Sequence, residues 1–194
     1  MFNFNALLNR LKYIPRWSLM RQTNTEDVAQ HTTQVVLIAH TLCMISSGEF
    51  GRDADSEKVA LCRLYHDAPE ILTGDMPTPV IYHSRAMQSA YRDVEALATD
   101  ELIETAAPFM KDELRHYMTA DILTDHEKKL LKAADRLSAL IKCMEELGSG
   151  NTEFKAAFNS TRKLLDDMDM DEVRYFTENM LPGYSLCLDD LAKI

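Results

Sequence analysis

At 194 residues, with 46% hydrophobic and 27% charged content, the chain is long enough for one globular domain with a sizeable core. Its formal net charge of −10 argues against a DNA or RNA polymer as partner, because that binding needs a basic surface to neutralise phosphates. A small anionic substrate stays open, since a bound cation and one or two arginines can reverse the field inside a cleft.

Helical periodicity dominates, and no run alternates convincingly as a strand would. A first helix is expected over residues 2–13, ahead of Pro15. Thr23-Asn24-Thr25-Glu26 has the spacing of a capping box, so a second helix is expected from about residue 24 to Ser47. After the polar loop Gly51-Arg52-Asp53-Ala54-Asp55, a third is expected over 55–70. Thr73-Gly74-Asp75-Met76-Pro77-Thr78-Pro79 is too broken by proline and glycine to be one helix. Further helices are expected over 80–106 and 109–119. Thr124-Asp125-His126-Glu127 is a second capping box, opening a helix to Leu147 that Gly148-Ser149-Gly150 stops. Two more follow near 152–168 and 171–180. The fold class is all-α, a compact single-domain helical bundle over 1–194. No apolar run approaches the roughly 18–20 residues that span a bilayer. The N-terminus lacks a basic stretch with a following cleavage site. The expected setting is therefore cytoplasmic, with no membrane partner. Cys43, Cys62, Cys143 and Cys187 are far apart in apolar surroundings, so four buried reduced thiols are expected.

Four residues carry the chemistry: His31, the pair His66-Asp67, and Asp135. Two imidazoles and two carboxylates are the donors that hold one borderline divalent metal and leave positions open. His31 shares a helix face with Val35, Ile38 and Leu42, whereas His40 falls on the opposite face. Asp135 sits between Leu131 and Ala139, on an apolar face where an unpartnered carboxylate is costly. Neighbouring helical residues point about 100° apart, so His66 and Asp67 can approach one ion from one edge. Glu70, four residues past His66, would stand over that ion as general acid or base without ligating it. A bare His-Asp dipeptide occurs by chance; the ordered set in a helical chain is what is specific.

That set resembles the HD-domain metal-dependent phosphohydrolases. Arg16-Trp17, His66-Asp67-Ala68-Pro69-Glu70, Thr73 to Pro79, Lys132 to Asp135, Leu140 to Leu147 and Gly150 to Phe154 are similar to the bacterial HD-domain 5′-deoxynucleotidases over essentially the whole length. One departure is Thr32-Thr33 after His31, where a serine is expected. The resemblance implies an all-α HD-type fold that cleaves deoxyribonucleoside 5′-monophosphates to deoxynucleoside and phosphate. Carried over, His31, His66, Asp67 and Asp135 would hold the metal and Glu70 would handle the proton. Arg16 would grip the phosphate, and Trp17, Asp75 and Thr78 would line the sugar pocket. It also implies a homodimer. Cobalt, manganese, zinc and iron suit such a ligand set almost equally.

Other readings share the scaffold: a triphosphate or cyclic-nucleotide phosphohydrolase, a dinuclear iron oxidase, or a helical module without activity. The chain lacks an obvious basic triphosphate cluster, and His83, His116 and His126 are the histidines available for a second metal. His116 and His126 are expected at the surface. Asp167, Asp169, Asp171 and Glu178 have EF-hand spacing, but Glu172 stands where the turn needs glycine. Asp171 is better read as part of a helix N-terminus.

Overall fold

The computed structural model describes residues 1–81 and 83–192. Its helices are α1 (Phe4–Leu8), α2 (Val28–Gly48), α3 (Ser56–His66), α4 (Glu70–Thr73), α5 (Thr78–Ile81), α6 (Arg85–Glu104), α7 (Lys111–Thr119), α8 (Asp125–Gly148), α9 (Lys155–Asp166), α10 (Asp171–Asn179) and α11 (Leu188–Leu191). Among the described residues there is no strand, only an isolated bridge between Pro15 and Asp27. The fold is all-α.

The helix α2 packs extensively on both α3 and α8, which also touch each other. Val35, Ile38, Ala39 and Leu42 of α2 meet Val59 and Cys62 of α3 and Leu130, Ala134, Leu137 and Ile141 of α8 in one core. Their spacing of three and four residues turns one stripe of each helix inward. Full burial of one such side chain contributes roughly 1.5–3 kcal/mol as an upper bound. A second cluster joins Phe4 to Ala68, Leu102, Ile103 and Leu114, and so fixes the chain just past His66 and Asp67.

Several boundaries differ from the sequence reading. The first expected helix splits into α1 and a 3₁₀ turn, Leu11–Tyr13. Thr23 does not cap α2; Asp27 does, accepting from the Gln30 amide at 2.9 Å. The segment 55–70 is not one helix. It stops at His66, Asp67 caps it at φ −90° and ψ 4°, and Pro69 lets the chain restart as α4. Proline disfavours the helical region for the residue before it, which explains the break. Gly74, at φ 72°, ends α4 in a conformation that glycine adopts without strain. Residue 82, inside the helix expected over 80–106, lies outside the described residues.

The second capping box forms as expected: Glu127 donates its amide to Thr124 Oγ1, and its carboxylate accepts from the Thr124 amide at 2.7 Å. By length and mean hydropathy of 1.2, α2 is apolar enough to cross a bilayer, but half of that window is buried inside the protein, as in a core helix. Cys43, Cys62 and Cys143 are buried, whereas Cys187 is exposed beside the short α11. His116 is exposed, but His126 is not: its Nε2 lies 2.8 Å from Ser46 Oγ, next to buried Glu172. Asp171 opens α10 and pairs with Arg52, in keeping with a helix N-terminus.

Candidate metal centre and substrate cleft

The centre is assembled from α2, the α3–α4 break and α8. His31 is 1% exposed. Its Nε2 lies 3.0 Å from Asp135 Oδ1 and 3.7 Å from Asp67 Oδ2. Two donors that share an ion at about 2.1 Å each stand roughly 3–3.5 Å apart. The His31–Asp135 spacing falls in that range, and the His31–Asp67 spacing is slightly wider. Burial alone would push the Asp67 carboxyl up, but the Arg63 and His66 beside it hold it well below the usual range, as an anion.

The tautomer of His31 follows from its neighbours. Ser138 Oγ donates to Gln34 Oε1 at 2.6 Å, so its oxygen is left to accept from His31 Nδ1–H at 3.2 Å. His31 Nε2 then carries the lone pair, the form in which imidazole ligates metals. Ser138 and Gln34 are residues that sequence reasoning missed, because an ordinary serine on an apolar helix carries no signal.

His66 is half-exposed, and its Nδ1 lies 2.8 Å from Asp67 Oδ1. It thus joins the centre through Asp67. Arg63 was also missed. Its Nη2 stands 2.5 Å from Asp67 Oδ2, 2.9 Å from His31 Nε2 and 3.6 Å from Asp135 Oδ1. Among the described residues, no group of three or more His, Cys, Asp or Glu is gathered closely enough to hold an ion as it stands. The chemistry of the donors and the His31–Asp135 spacing fit a metal; the Arg63 guanidinium lies among the donors, and His66 turns its Nδ1 towards Asp67.

Glu70 follows on α4. Its Oε2 is buried and has no hydrogen-bond partner. Burial, with the charges of Asp67 and Asp75, pushes its pKa up to about 9. On the other side, the 16–26 loop supplies a second cluster. Arg16 Nε lies 3.6 Å from Glu26 Oε2, and its Nη1 lies 3.7 Å from Asp75 Oδ1. Arg16 Nε is buried and makes no hydrogen bond. Trp17 adopts φ 57°, a strained value for an aromatic residue, and donates Nε1–H to Glu26 Oε2 at 2.7 Å. Its ring packs on Phe154, with centroids 5.3 Å apart. Glu26 Oε1 also lies 3.7 Å from His31 Nδ1. Glu26 is therefore the bridge between the loop and the centre, and not a capping residue.

The structure brings Arg16 and Trp17 together at Glu26, with Asp75 on the other side of Arg16, and His31, Asp67 and Asp135 around Arg63. Thr78 is exposed at the start of α5. A cleft of about 490 Å³ opens beside His66, lined by Arg92, Glu95, Thr99 and Arg115. A larger groove of about 780 Å³ reaches Glu26 from the side of Lys142 and Tyr184, and its lining includes none of His31, His66, Asp67 and Asp135.

The YfbR-like 5′-deoxynucleotidase profile matches residues 3–184. A 5′-deoxynucleotidase of Photorhabdus laumondii is 40% identical over 192 residues, covering 99% of this chain and 98% of that one. The 5′-deoxynucleotidase YfbR of Escherichia coli is 39% identical over 191 residues, covering 98% and 96%. Among solved structures, an HD-domain phosphohydrolase of Listeria innocua superposes with a TM-score of 0.82 at 22% identity, over 94% of this chain and 88% of that one. A cyanophage S-2L HD phosphohydrolase bound to dA and one catalytic Zn²⁺ superposes with a TM-score of 0.65 at 20% identity, over 91% and 95%. The chain belongs to the YfbR-like 5′-deoxynucleotidase family, on the all-α scaffold of the HD-domain phosphohydrolases.

Proposed function

We propose that the chain removes the 5′-phosphate of deoxyribonucleoside 5′-monophosphates, with His31, His66, Asp67 and Asp135 holding one divalent metal. The family supports the reaction, and the Zn²⁺-bound neighbour supports a divalent cofactor on this scaffold. The observation that carries the reading is the juxtaposition of the two clusters. His31 Nδ1 and Trp17 Nε1 lie 3.7 Å and 2.7 Å from the two oxygens of one carboxylate, Glu26. The metal donors and the substrate-binding loop are thus tied at a single residue.

When bound, the metal supplies Lewis acidity and eases deprotonation of a nucleophilic water. The remaining work falls to side chains. Arg16, flanked by Glu26 and Asp75, presents a planar fork to the phosphate oxygens, with Nε free of other partners. Glu70 Oε2, buried and unpartnered, carries a proton between the attacking water and the leaving 5′-oxygen. Asp75 accepts from the sugar 3′-hydroxyl. The Trp17 ring, fixed by Glu26 and Phe154, forms the wall that a 2′-hydroxyl meets. Thr78 extends the sugar side of the cleft.

Phosphate release from matched dAMP and AMP tests this, after chelation and reloading with Co²⁺, Mn²⁺, Mg²⁺ or Zn²⁺. Metal-dependent release from dAMP with little from AMP is expected; release from neither by the loaded protein overturns the reading. The native metal is one of cobalt, manganese, zinc or iron, and the expected setting is the cytoplasm. Exposed Leu64, Leu72 and Leu97 favour a homodimer, which light scattering would size directly.

A further inference from the structure

Arg63 is the most deeply buried cation of the centre, with 1% of its surface exposed. Its fork clamps Asp67 at both oxygens, Nη1 to Oδ1 at 2.7 Å and Nη2 to Oδ2 at 2.5 Å. The same Nη2 lies 2.9 Å from His31 Nε2. A guanidinium only donates, so this contact uses the Nε2 lone pair, in agreement with the tautomer set by Ser138. That leaves the lone pair of His31 Nε2 facing the acceptor Oδ1 of Asp135 at 3.0 Å. Two acceptors that close need a positive charge beside them or a proton between them, and Arg63 Nη2, 3.6 Å from Asp135 Oδ1, is the cation present.

We propose that Arg63 competes with the metal for its own donors. Guanidinium and divalent ion both seek the lone pairs of His31 Nε2, Asp67 and Asp135. An ion bound to those donors requires Arg63 to release Asp67 or turn aside, and its Nε, buried without a hydrogen-bond partner, does not tether it in place. Arg63 thus lowers metal affinity while holding Asp67 and His31 in one arrangement. It is a positioning residue and not a ligand. The proposal rests on the assignment of His31, Asp67 and Asp135 as metal donors.

The test is Co²⁺ affinity, read from the visible absorption of the bound ion and from competition with a chelating dye. Arg63→Met keeps the length of the side chain and removes the charge; it is expected to bind Co²⁺ about tenfold or more tightly than the parent. In Arg63→Ala, millimolar guanidinium ion is expected to refill the space and weaken Co²⁺ binding, with no effect on the parent. A purely structural role would not respond to guanidinium. Arg63→Lys, which keeps a cation, should fold if the other two do not and should bind Co²⁺ no more tightly than the parent. Equal or weaker Co²⁺ binding in Arg63→Met, or no guanidinium effect in Arg63→Ala, overturns the competition. If Arg63→Lys alone folds, tighter binding in that variant does so. Absence of Co²⁺ binding in the parent and in every variant overturns the donor assignment itself.

Discussion

Trp17 Nε1 donates to Glu26 Oε2 at 2.7 Å, and through this bond a residue in strained left-handed backbone is held against the candidate metal centre. The indole has two supports, Glu26 and the ring of Phe154. If it is the wall against a 2′-hydroxyl, loosening either support should act on selectivity before stability. Glu26→Ala is expected to lower the dAMP over AMP preference by about tenfold, which corresponds to about 1.4 kcal/mol. Trp17→Ala should go at least as far. Ratios of kcat/KM for the two nucleotides decide it, and an unchanged ratio in Trp17→Ala removes the indole from the discrimination.

Glu70 offers a sharper prediction about rate. A buried carboxyl with an unpartnered oxygen is an expensive feature to keep without a use. General acid–base groups contribute on the order of 10²–10⁴ in rate, so Glu70→Ala is expected to lose that much in kcat while KM stays nearly constant. Glu70→Gln keeps the shape and should be as slow. Turnover within tenfold of the parent in either variant would remove Glu70 from proton transfer.

The helices were legible because burial writes a stripe of three- and four-residue spacing into them, as in Leu130, Ala134, Leu137 and Ile141 of α8. The break after His66 was not, because the proline that causes it stands three residues further on. His31 and Asp135 could be picked out by type, since titratable groups on apolar faces need partners, although Asp135 proves half-exposed. Asp67 is legible from its place beside His66, and Arg16 and Asp75 only through the family resemblance. Glu26 was misassigned: a Thr-x-x-Glu spacing has the same form whether the glutamate turns back to the amides or into a cleft. Ser138 carries no signal, and Arg63 carries only its four-residue spacing to Asp67. Their importance lies in which nitrogen or oxygen they face, and only the packed helices determine that.

Asp75 is assigned to the 3′-hydroxyl, and a substrate lacking that group isolates the contact. In the parent, removing the 3′-hydroxyl from dAMP is expected to lower kcat/KM by about tenfold or more, the usual penalty for leaving a buried polar partner unpaired. In Asp75→Ala, the same change to the substrate should cost little further. This is a double-mutant cycle with one arm in the ligand. Equal losses in parent and variant would place the hydroxyl on another residue. Because Asp75 also lies 3.7 Å from Arg16, KM for dAMP itself should rise in the variant.

The 16–26 loop is anchored to α8 by a buried ion pair, and that anchor makes a prediction about acid. Glu146 is fully buried, accepts from Lys142 Nζ at 2.6 Å and Asn151 Nδ2 at 2.8 Å, and receives the amides of Thr23 at 2.8 Å and Asn24 at 3.1 Å. Burial alone would raise its pKa, but Lys142, Asn151 and the two amides outweigh it and hold the carboxyl far below its ordinary value. A carboxylate whose folded pKa is depressed stabilises the fold in full above its unfolded pKa, about 4.3 for glutamate. That contribution is lost as pH falls from there towards the folded value. Glu146→Gln leaves Lys142 buried without a counter-charge, so it is expected to destabilise by about 3–5 kcal/mol at pH 7. The gap between parent and variant, followed by urea unfolding, should be constant from pH 7 to about 5 and narrow below about 4.3. A gap that stays level down to pH 3 would mean that the carboxylate's charge does not hold the loop. Since the anchored residues run directly into Glu26, the same variant is expected to lose selectivity for the deoxy sugar even where it remains folded.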